Sequence, residues 1–259
     1  MSKAAKKQKR GKRAASNESS FDVRFRDDTS FKKVETTLTA RTQNQKRALS
    51  YLNSGTPIVL LTGSAGTGKS LLAAYRAATQ LKSKATGGIV LMRPAVATGK
   101  TIGLLPGEIE EKMTPYFRQT LIHLGKFLGE GQLRYALEKK QIEMFPVEYA
   151  RGNSFENKIV IAEEAQNFTA EEFEMMFTRL GENCQMIFTG DTKQHDLKGD
   201  SGLKSTLNLI HKIQEYQPYY LDDDDMDVLD DGVGIVEFGP DDVIRSGLTK
   251  AFVKIYFNN

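Results

Sequence analysis

The chain has 259 residues, 39% hydrophobic and 27% charged, enough for one large domain or two small ones with a real core. It has 22 glycines, a single cysteine (Cys184) and no sustained heptad, so collagen, coiled-coil and disulfide-scaffold classes are excluded; with no apolar run near the ~18 residues of a membrane span and no apolar N-terminal stretch, a reducing, cytoplasmic-type compartment is expected. The net charge of +3 conceals an asymmetry: residues 1–13 hold seven bases (Lys3, Lys6, Lys7, Lys9, Arg10, Lys12, Arg13) and no acid, and removing those from the 36 basic residues leaves 29 against 33 acidic, a net of −4.

Residues 1–20 are rich in Lys, Arg, Ala and Ser without apolar periodicity, which predicts a disordered basic arm. Such an arm either contacts phosphates or serves as a solubilising tail. Residues 21–35 form an N-terminal extension, and the globular domain is expected over residues 36–259. Pro57-Ile58-Val59-Leu60-Leu61-Thr62 reads as a strand buried on both faces. Leu71, Leu72, Tyr75, Ala78 and Leu81 then recur at helical spacing, and Gly88-Ile89-Val90-Leu91-Met92 reads as a second strand. Ile109, Met113, Phe117, Leu121, Leu124 and Leu128 again repeat at helical intervals. Pro115, with Thr114 before it as an N-cap, predicts a kink or two helices there.

Ile159-Val160-Ile161-Ala162 is a third strand. Thr169-Ala170-Glu171-Glu172 is a capping box, with Phe173, Met176, Phe177 and Leu180 as the apolar stripe behind it. Met186-Ile187-Phe188-Thr189 is a fourth strand and Gly234-Ile235-Val236-Glu237-Phe238 a last one, followed by a helix through Phe252 and Ile255. Strands alternating with helices predict an α/β fold, a mostly parallel sheet with helices on both faces. Residues 222–231 contain seven aspartates and read as a solvated, self-repelling loop. Calcium binding there lacks the ligand spacing and glycine turn of a calcium loop.

Gly63-Ser64-Ala65-Gly66-Thr67-Gly68-Lys69-Ser70 matches G-x-x-x-x-G-K-S/T between a predicted strand and a predicted helix. Glycines let successive backbone N–H groups turn toward phosphate oxygens, and the helix N-terminus adds positive potential. The pattern assigns Lys69 to the β- and γ-phosphates and the Ser70 hydroxyl to magnesium. Glu163-Glu164 closes the third strand. In a parallel sheet that end faces the ligand crevice, so one carboxylate can serve the magnesium shell and the other can polarise water. An acidic helix start is the plainer alternative for this pair. Thr189-Gly190-Asp191-Thr192-Lys193-Gln194 ends the fourth strand, where Gln194 can sense the γ-phosphate or orient water.

Together these residues resemble the PhoH family, P-loop ATPases similar in their core to superfamily 1 helicases, from about Thr42 to Tyr256. The stretches that carry the resemblance are Leu61 to Ser70, Arg93-Pro94-Ala95-Val96, Gly103-Leu104-Leu105-Pro106-Gly107 with Glu111-Lys112 and Pro115-Tyr116, Glu164-Ala165-Gln166-Asn167, Gly190-Asp191 with Gln194, and Asp242-Val243-Ile244-Arg245. The resemblance implies a RecA-like sheet, ATP and Mg2+, a homo-oligomeric, hexameric ring and work on RNA or single-stranded DNA. It suggests Gln45 as an adenine reader, although Thr42-Gln43-Asn44-Gln45 is also a capping box. It suggests Gln194 as the phosphate sensor and Arg245 as an arginine finger donated across a subunit interface, with a solvated arginine as the alternative. Arg93 and Arg151 are candidates for phosphate or nucleic-acid contact, or for ion pairs inside the fold.

Three departures from the family pattern stand out. Glu163-Glu164 replaces the usual Asp-Glu, adding a methylene that can displace a magnesium-bound water and slow hydrolysis. The aspartate-rich stretch occupies a region shorter in typical relatives, and Ser246-Gly247 replaces the usual His-Pro after Arg245. His123, His195 and His211 show no metal-ligand spacing, and Cys184 has no partner. His195 adjoins the Gln194 cluster. The competing functions are an assembly module that binds nucleotide with little hydrolysis, and a P-loop kinase.

Overall fold

Short runs rich in Ile, Val, Leu and Met form most strands of this α/β domain. The computed structural model describes residues 34–94, 112–194, 201–245 and 247–258. The basic arm, most of the N-terminal extension, Ala95-Val96, Gly103 to Gly107, Ile109, Glu111, His195 and Ser246 lie outside the described residues.

In chain order the described elements are α1 (Gln43–Ser54), β1 (Ile58–Gly63), α2 (Lys69–Lys82), β2 (Gly88–Arg93), α3 (Arg118–Leu128), α4 (Glu130–Glu138), β3 (Ile142–Pro146), β4 (Lys158–Glu163), α5 (Ala170–Phe177), β5 (Gln185–Gly190), α6 (Gly202–Glu215), α7 (Asp223–Gly232), β6 (Val233–Phe238) and α8 (Gly247–Asn258). The six strands form one sheet in the order β3-β2-β4-β5-β1-β6, and every neighbouring pair is parallel. Alternation along the strands divides the core into two layers. Val59, Leu61, Ile159, Ile161 and Ile187 point to the face covered by α1, α2, α3 and α4. Leu60, Val160, Ala162, Met186 and Phe188 point to the face covered by α5 and α6, where Phe168, Phe173 and Phe188 pack ring against ring. Because all strands run one way, Gly63, Arg93, Glu163 and Gly190 emerge at one edge.

Three expectations are corrected. A sixth strand, β3, occupies the sheet edge; its buried Ile142, Met144 and Pro146 alternate with half-exposed Glu143 and Phe145. The aspartate-rich loop is instead the helix α7. Asp222 caps it, accepting from the Asp225 N–H at 2.9 Å, while Asp225 Oδ2 accepts from the Asp222 N–H at 3.3 Å. Asp223, Asp224 and Asp225 sit in the first turn, where negative charge complements the helix dipole. Thr114 is the first residue of a 3-10 turn, Thr114–Phe117, and is not its N-cap. Pro115 fits there because that position needs no N–H, and α3 follows directly. The capping box at Thr169 and Glu172 forms as expected, with bonds of 3.2 and 2.8 Å.

Candidate functional site

The segment from Gly63 to Ser70 joins β1 to α2 through three glycines with positive φ: Gly63 (+121°), Gly66 (+83°) and Gly68 (+94°). At Gly63 the backbone approach is so close that a Cβ would lie 2.1 Å from the Phe238 carbonyl oxygen on β6. The Thr67 hydroxyl closes the loop on itself by donating to the Ser64 carbonyl at 3.0 Å. No side chain caps the start of α2. Lys69 curls over the loop, and its ammonium donates to the Gly63 carbonyl at 2.5 Å and the Ser64 carbonyl at 2.9 Å. Burial lowers the Lys69 pKa to about 8, against the opposing pull of Asp191 and Glu164.

Gln45 braces this loop from α1. Its buried amide donates to the Thr67 carbonyl at 2.8 Å and accepts from the Arg41 N–H at 2.8 Å. The Gln45 N–H donates to the Thr42 hydroxyl at 3.2 Å, so the backbone half of the expected cap is present. The side-chain half goes to Arg41 and the loop in place of Thr42.

Glu163, 8% exposed, ends β4 beside the loop. The Thr120 hydroxyl, presented by α3, donates to Glu163 Oε1, and Ser70 lines the cavity beside the same carboxylate. Burial raises the Glu163 pKa, opposed chiefly by the Thr120 bond and the Arg93 charge. Glu164 follows with φ +54°, a left-handed conformation uncommon for a residue with a side chain. Its Oε2 accepts from Gln166 Nε2 at 2.7 Å, and Gln166 Oε1 accepts from the Asp191 N–H at 3.0 Å. A polar chain therefore ties the end of β4 to the end of β5. Gln194 is exposed beyond that end, its N–H donating to the Asp191 carbonyl at 3.1 Å.

Arg93 ends β2. It donates to the Tyr116 carbonyl at 3.0 Å and lies 5.3 Å from the centre of that tyrosine's ring. Its Nε is buried and has no hydrogen-bond partner among the described residues. Arg245 is exposed but packs on its own chain's loop: a Cβ on Gly66 would come within 3.0 Å of Arg245 Nε. Among the described residues Arg245 therefore stands beside the phosphate loop of its own chain. Arg151 is exposed after the 3-10 turn Val147–Ala150 and stands apart from the others; it faces the charge of Glu172.

Gln45, Ala65, Gly66, Gly68, Lys69, Ser70, Arg93, Glu163, Glu164, Gln194 and Arg245 therefore surround one cavity of about 830 Å³, within the range of small-molecule sites. The sequence reading missed Thr120 and the linking role of Gln166. Thr120 carries no motif signal, since its partner lies 43 positions away; Gln166 stands in a quoted stretch, two residues after Glu164. The oxygen donors Ser70, Glu163, Glu164 and Asp191 on one cavity fit a small hard cation. Among the described residues no group of three or more His, Cys, Asp or Glu side chains forms a metal cage, so magnesium would draw its remaining ligands from phosphate and water. No described helix is long and apolar enough to cross a membrane.

A family model described as PhoH-like protein matches residues 37–229. Protein PhoH of Escherichia coli strain K12 is 36% identical over 221 residues, covering 84% of this chain and 57% of that protein. A PhoH-like protein of Bacillus subtilis is 35% identical over 199 residues, 77% of this chain and 58% of its own. One of Mycobacterium tuberculosis strain H37Rv is 34% identical over 222 residues, with coverages of 85% and 58%. The chain thus spans somewhat over half the length of these curated relatives. Among solved structures, the large terminase of a thermophilic bacteriophage overlays with a TM-score of 0.43 at 11% identity, covering 82% of this chain and 49% of that one. The Pif1 helicase of Candida albicans overlays with a TM-score of 0.34 at 16% identity, covering 78% and 40%.

Proposed function

The chain belongs to the PhoH family and is a P-loop NTPase, and from that premise we propose that it binds ATP, hydrolyses it with magnesium, and couples this to RNA or single-stranded DNA within an oligomeric ring. The observation that carries the hydrolytic reading is the convergence of Lys69 and Ser70 with Glu163 and Glu164 on one cavity.

In this reading the loop N–H groups and the start of α2 cradle the phosphates. Lys69 leaves the carbonyls of Gly63 and Ser64 for the β- and γ-phosphate oxygens. Ser70 and Glu163 would hold magnesium, whose charge would offset the negative charge of the transferred phosphoryl group. Glu164, held by Gln166, accepts the proton of the attacking water, and Gln194 orients that water. Arg245 stabilises the developing charge from its own chain. Gln45 commits one donor and one acceptor site of its amide to the protein; one of each remains for the adenine edge.

Coupling to nucleic acid is supported by the basic residues 1–13 and by the Nε of Arg93 beside the cavity, which has no hydrogen-bond partner among the described residues. The ring is supported by the family resemblance alone. The deciding experiment measures ATP hydrolysis with RNA, with single-stranded DNA and with neither, for the parent, Lys69→Ala and Arg245→Ala, alongside sedimentation. Activity surviving Lys69→Ala would sink the hydrolytic reading, and a fully active monomer would sink the ring. The second reading, an assembly module with little hydrolysis, is favoured by the buried Glu163 in place of an aspartate. Tight ATP binding without phosphate release would select it, and phosphoryl transfer to a nucleoside monophosphate would select a kinase.

A further inference from the structure

We infer that Thr120 is a positioning residue for Glu163, the contact that fits a glutamate to a metal-side position. The inference rests on the assignment of Glu163 to magnesium above. A glutamate carries one more rotatable bond than an aspartate, so its carboxylate must be fixed from outside to present one oxygen reproducibly. Thr120 is 1% exposed, and its hydroxyl donates to Glu163 Oε1. A threonine within a helix ordinarily turns its hydroxyl back to its own helix's carbonyls. Here that single proton goes to a carboxylate 43 positions away in sequence.

Ser70 lines the same cavity from the loop side, so Glu163 lies between two hydroxyls, one from α2 and one from α3, of which Thr120 makes the hydrogen bond. The turn that leads into α3 is in turn fixed by Arg93, which donates to the Tyr116 carbonyl at 3.0 Å and lies over that ring. The chain of support runs from the end of β2 through Tyr116 to Thr120 and on to Glu163. An aspartate at position 163 would be a methylene too short to keep the Thr120 bond, so the two positions are coupled.

The test is magnesium titration by calorimetry of the protein saturated with β,γ-imido-ATP, with kcat and KM for ATP measured in parallel. The variants are Thr120→Val, Thr120→Ser, Glu163→Asp, Glu163→Gln and Thr120→Val/Glu163→Asp. Thr120→Val is expected to weaken magnesium binding about 10-fold, as loss of an outer contact to a metal-side ligand does. It should lower kcat more than it raises KM, and Thr120→Ser should restore both. In the Glu163→Asp background Thr120→Val should cost nothing further. Parent-like magnesium binding in Thr120→Val, or an equal loss in both backgrounds, would overturn the clamp. If Thr120→Val fails to fold, Thr120→Ala gives the same readout. Undiminished magnesium binding in Glu163→Gln would instead overturn the assignment of Glu163, a distinct failure.

Discussion

Arg245 lies on Gly66 of its own phosphate loop. A Cβ on Gly66 would meet Arg245 Nε at 3.0 Å, and the adjacent Ile244 N–H donates to the Gly66 carbonyl at 3.1 Å. The arginine is therefore held in cis by a backbone bond one residue away. Mixing Lys69→Ala protein with Arg245→Ala protein is expected to restore no ATP hydrolysis, because neither supplies a site with both groups. A finger donated in trans would restore a measurable fraction, since some interfaces would then pair an intact loop with an intact arginine. Steady-state phosphate release from the mixed sample decides between them.

Gly66 itself has φ +83°, so any side chain there is strained whatever the space around it. The left-handed conformation costs an L residue roughly 1–2 kcal/mol. Gly66→Ala is expected to weaken binding of β,γ-imido-ATP about 10-fold, the affinity equivalent of that strain. Adding Arg245→Ala removes the steric contact and leaves the strain, so the double variant should regain only part of the loss. Full recovery in equilibrium binding would show that crowding, not backbone geometry, selects glycine.

The half-buried Lys69 sets two pH dependences. Its pKa is about 8 in the folded chain against an ordinary 10.5, with desolvation as the main cause. Below pH 8 the folded protein carries the full cost of a partly desolvated cation. Between about 8 and 10.5 the unfolded chain binds the proton and the folded chain does not, so stability rises with pH across that window. Lys69→Met should therefore raise the unfolding temperature most below pH 8, with the gain shrinking toward pH 10.5. A triphosphate favours the ammonium form, so ATP affinity should fall by up to about 10-fold per unit as pH rises past 8. Calorimetry in buffers of different ionisation enthalpy should show proton uptake on binding of β,γ-imido-ATP above that pH. Equal uptake by Lys69→Met would refute the assignment.

What the sequence disclosed depends on how local each signal is. The phosphate loop was legible because its glycines, Lys69 and Ser70 must stand at fixed spacing to make one turn into one helix. Glu163 and Gln194 were legible because strand ends of a parallel sheet share an edge. Thr120 was not, since its role exists only once α3 crosses that edge. β3 was missed because Glu143 and Phe145 dilute the apolar run of an edge strand. Gln45 was half legible: the cap at Thr42 is local, whereas the bond to Thr67 spans 22 positions.

The aspartates of α7 misled for an instructive reason, and they support a prediction with opposite signs at the two ends of one helix. At the start, Asp222 caps the N–H of Asp225 and three further aspartates meet the positive end of the dipole. At the far end, Asp230 and Asp231 face the negative end with no basic residue in the last turn. Asp230 has one partner, accepting from Gln214 Nε2 at 3.0 Å, so Asp231 is the cleaner position to change. Asp222→Ala is expected to destabilise the helix by about 1 kcal/mol through loss of the cap. Asp231→Asn should stabilise it by roughly 0.3–1 kcal/mol by relieving the unfavourable end. Hydrogen exchange of the backbone amides over residues 226–232 reads both changes directly. The gain from Asp231→Asn should fade as ionic strength rises toward 1 M, where the screening length falls to about 3 Å, while much of the hydrogen-bonding loss from Asp222→Ala should persist. Equal salt sensitivity of the two would mean that net charge, not position along the helix, governs α7.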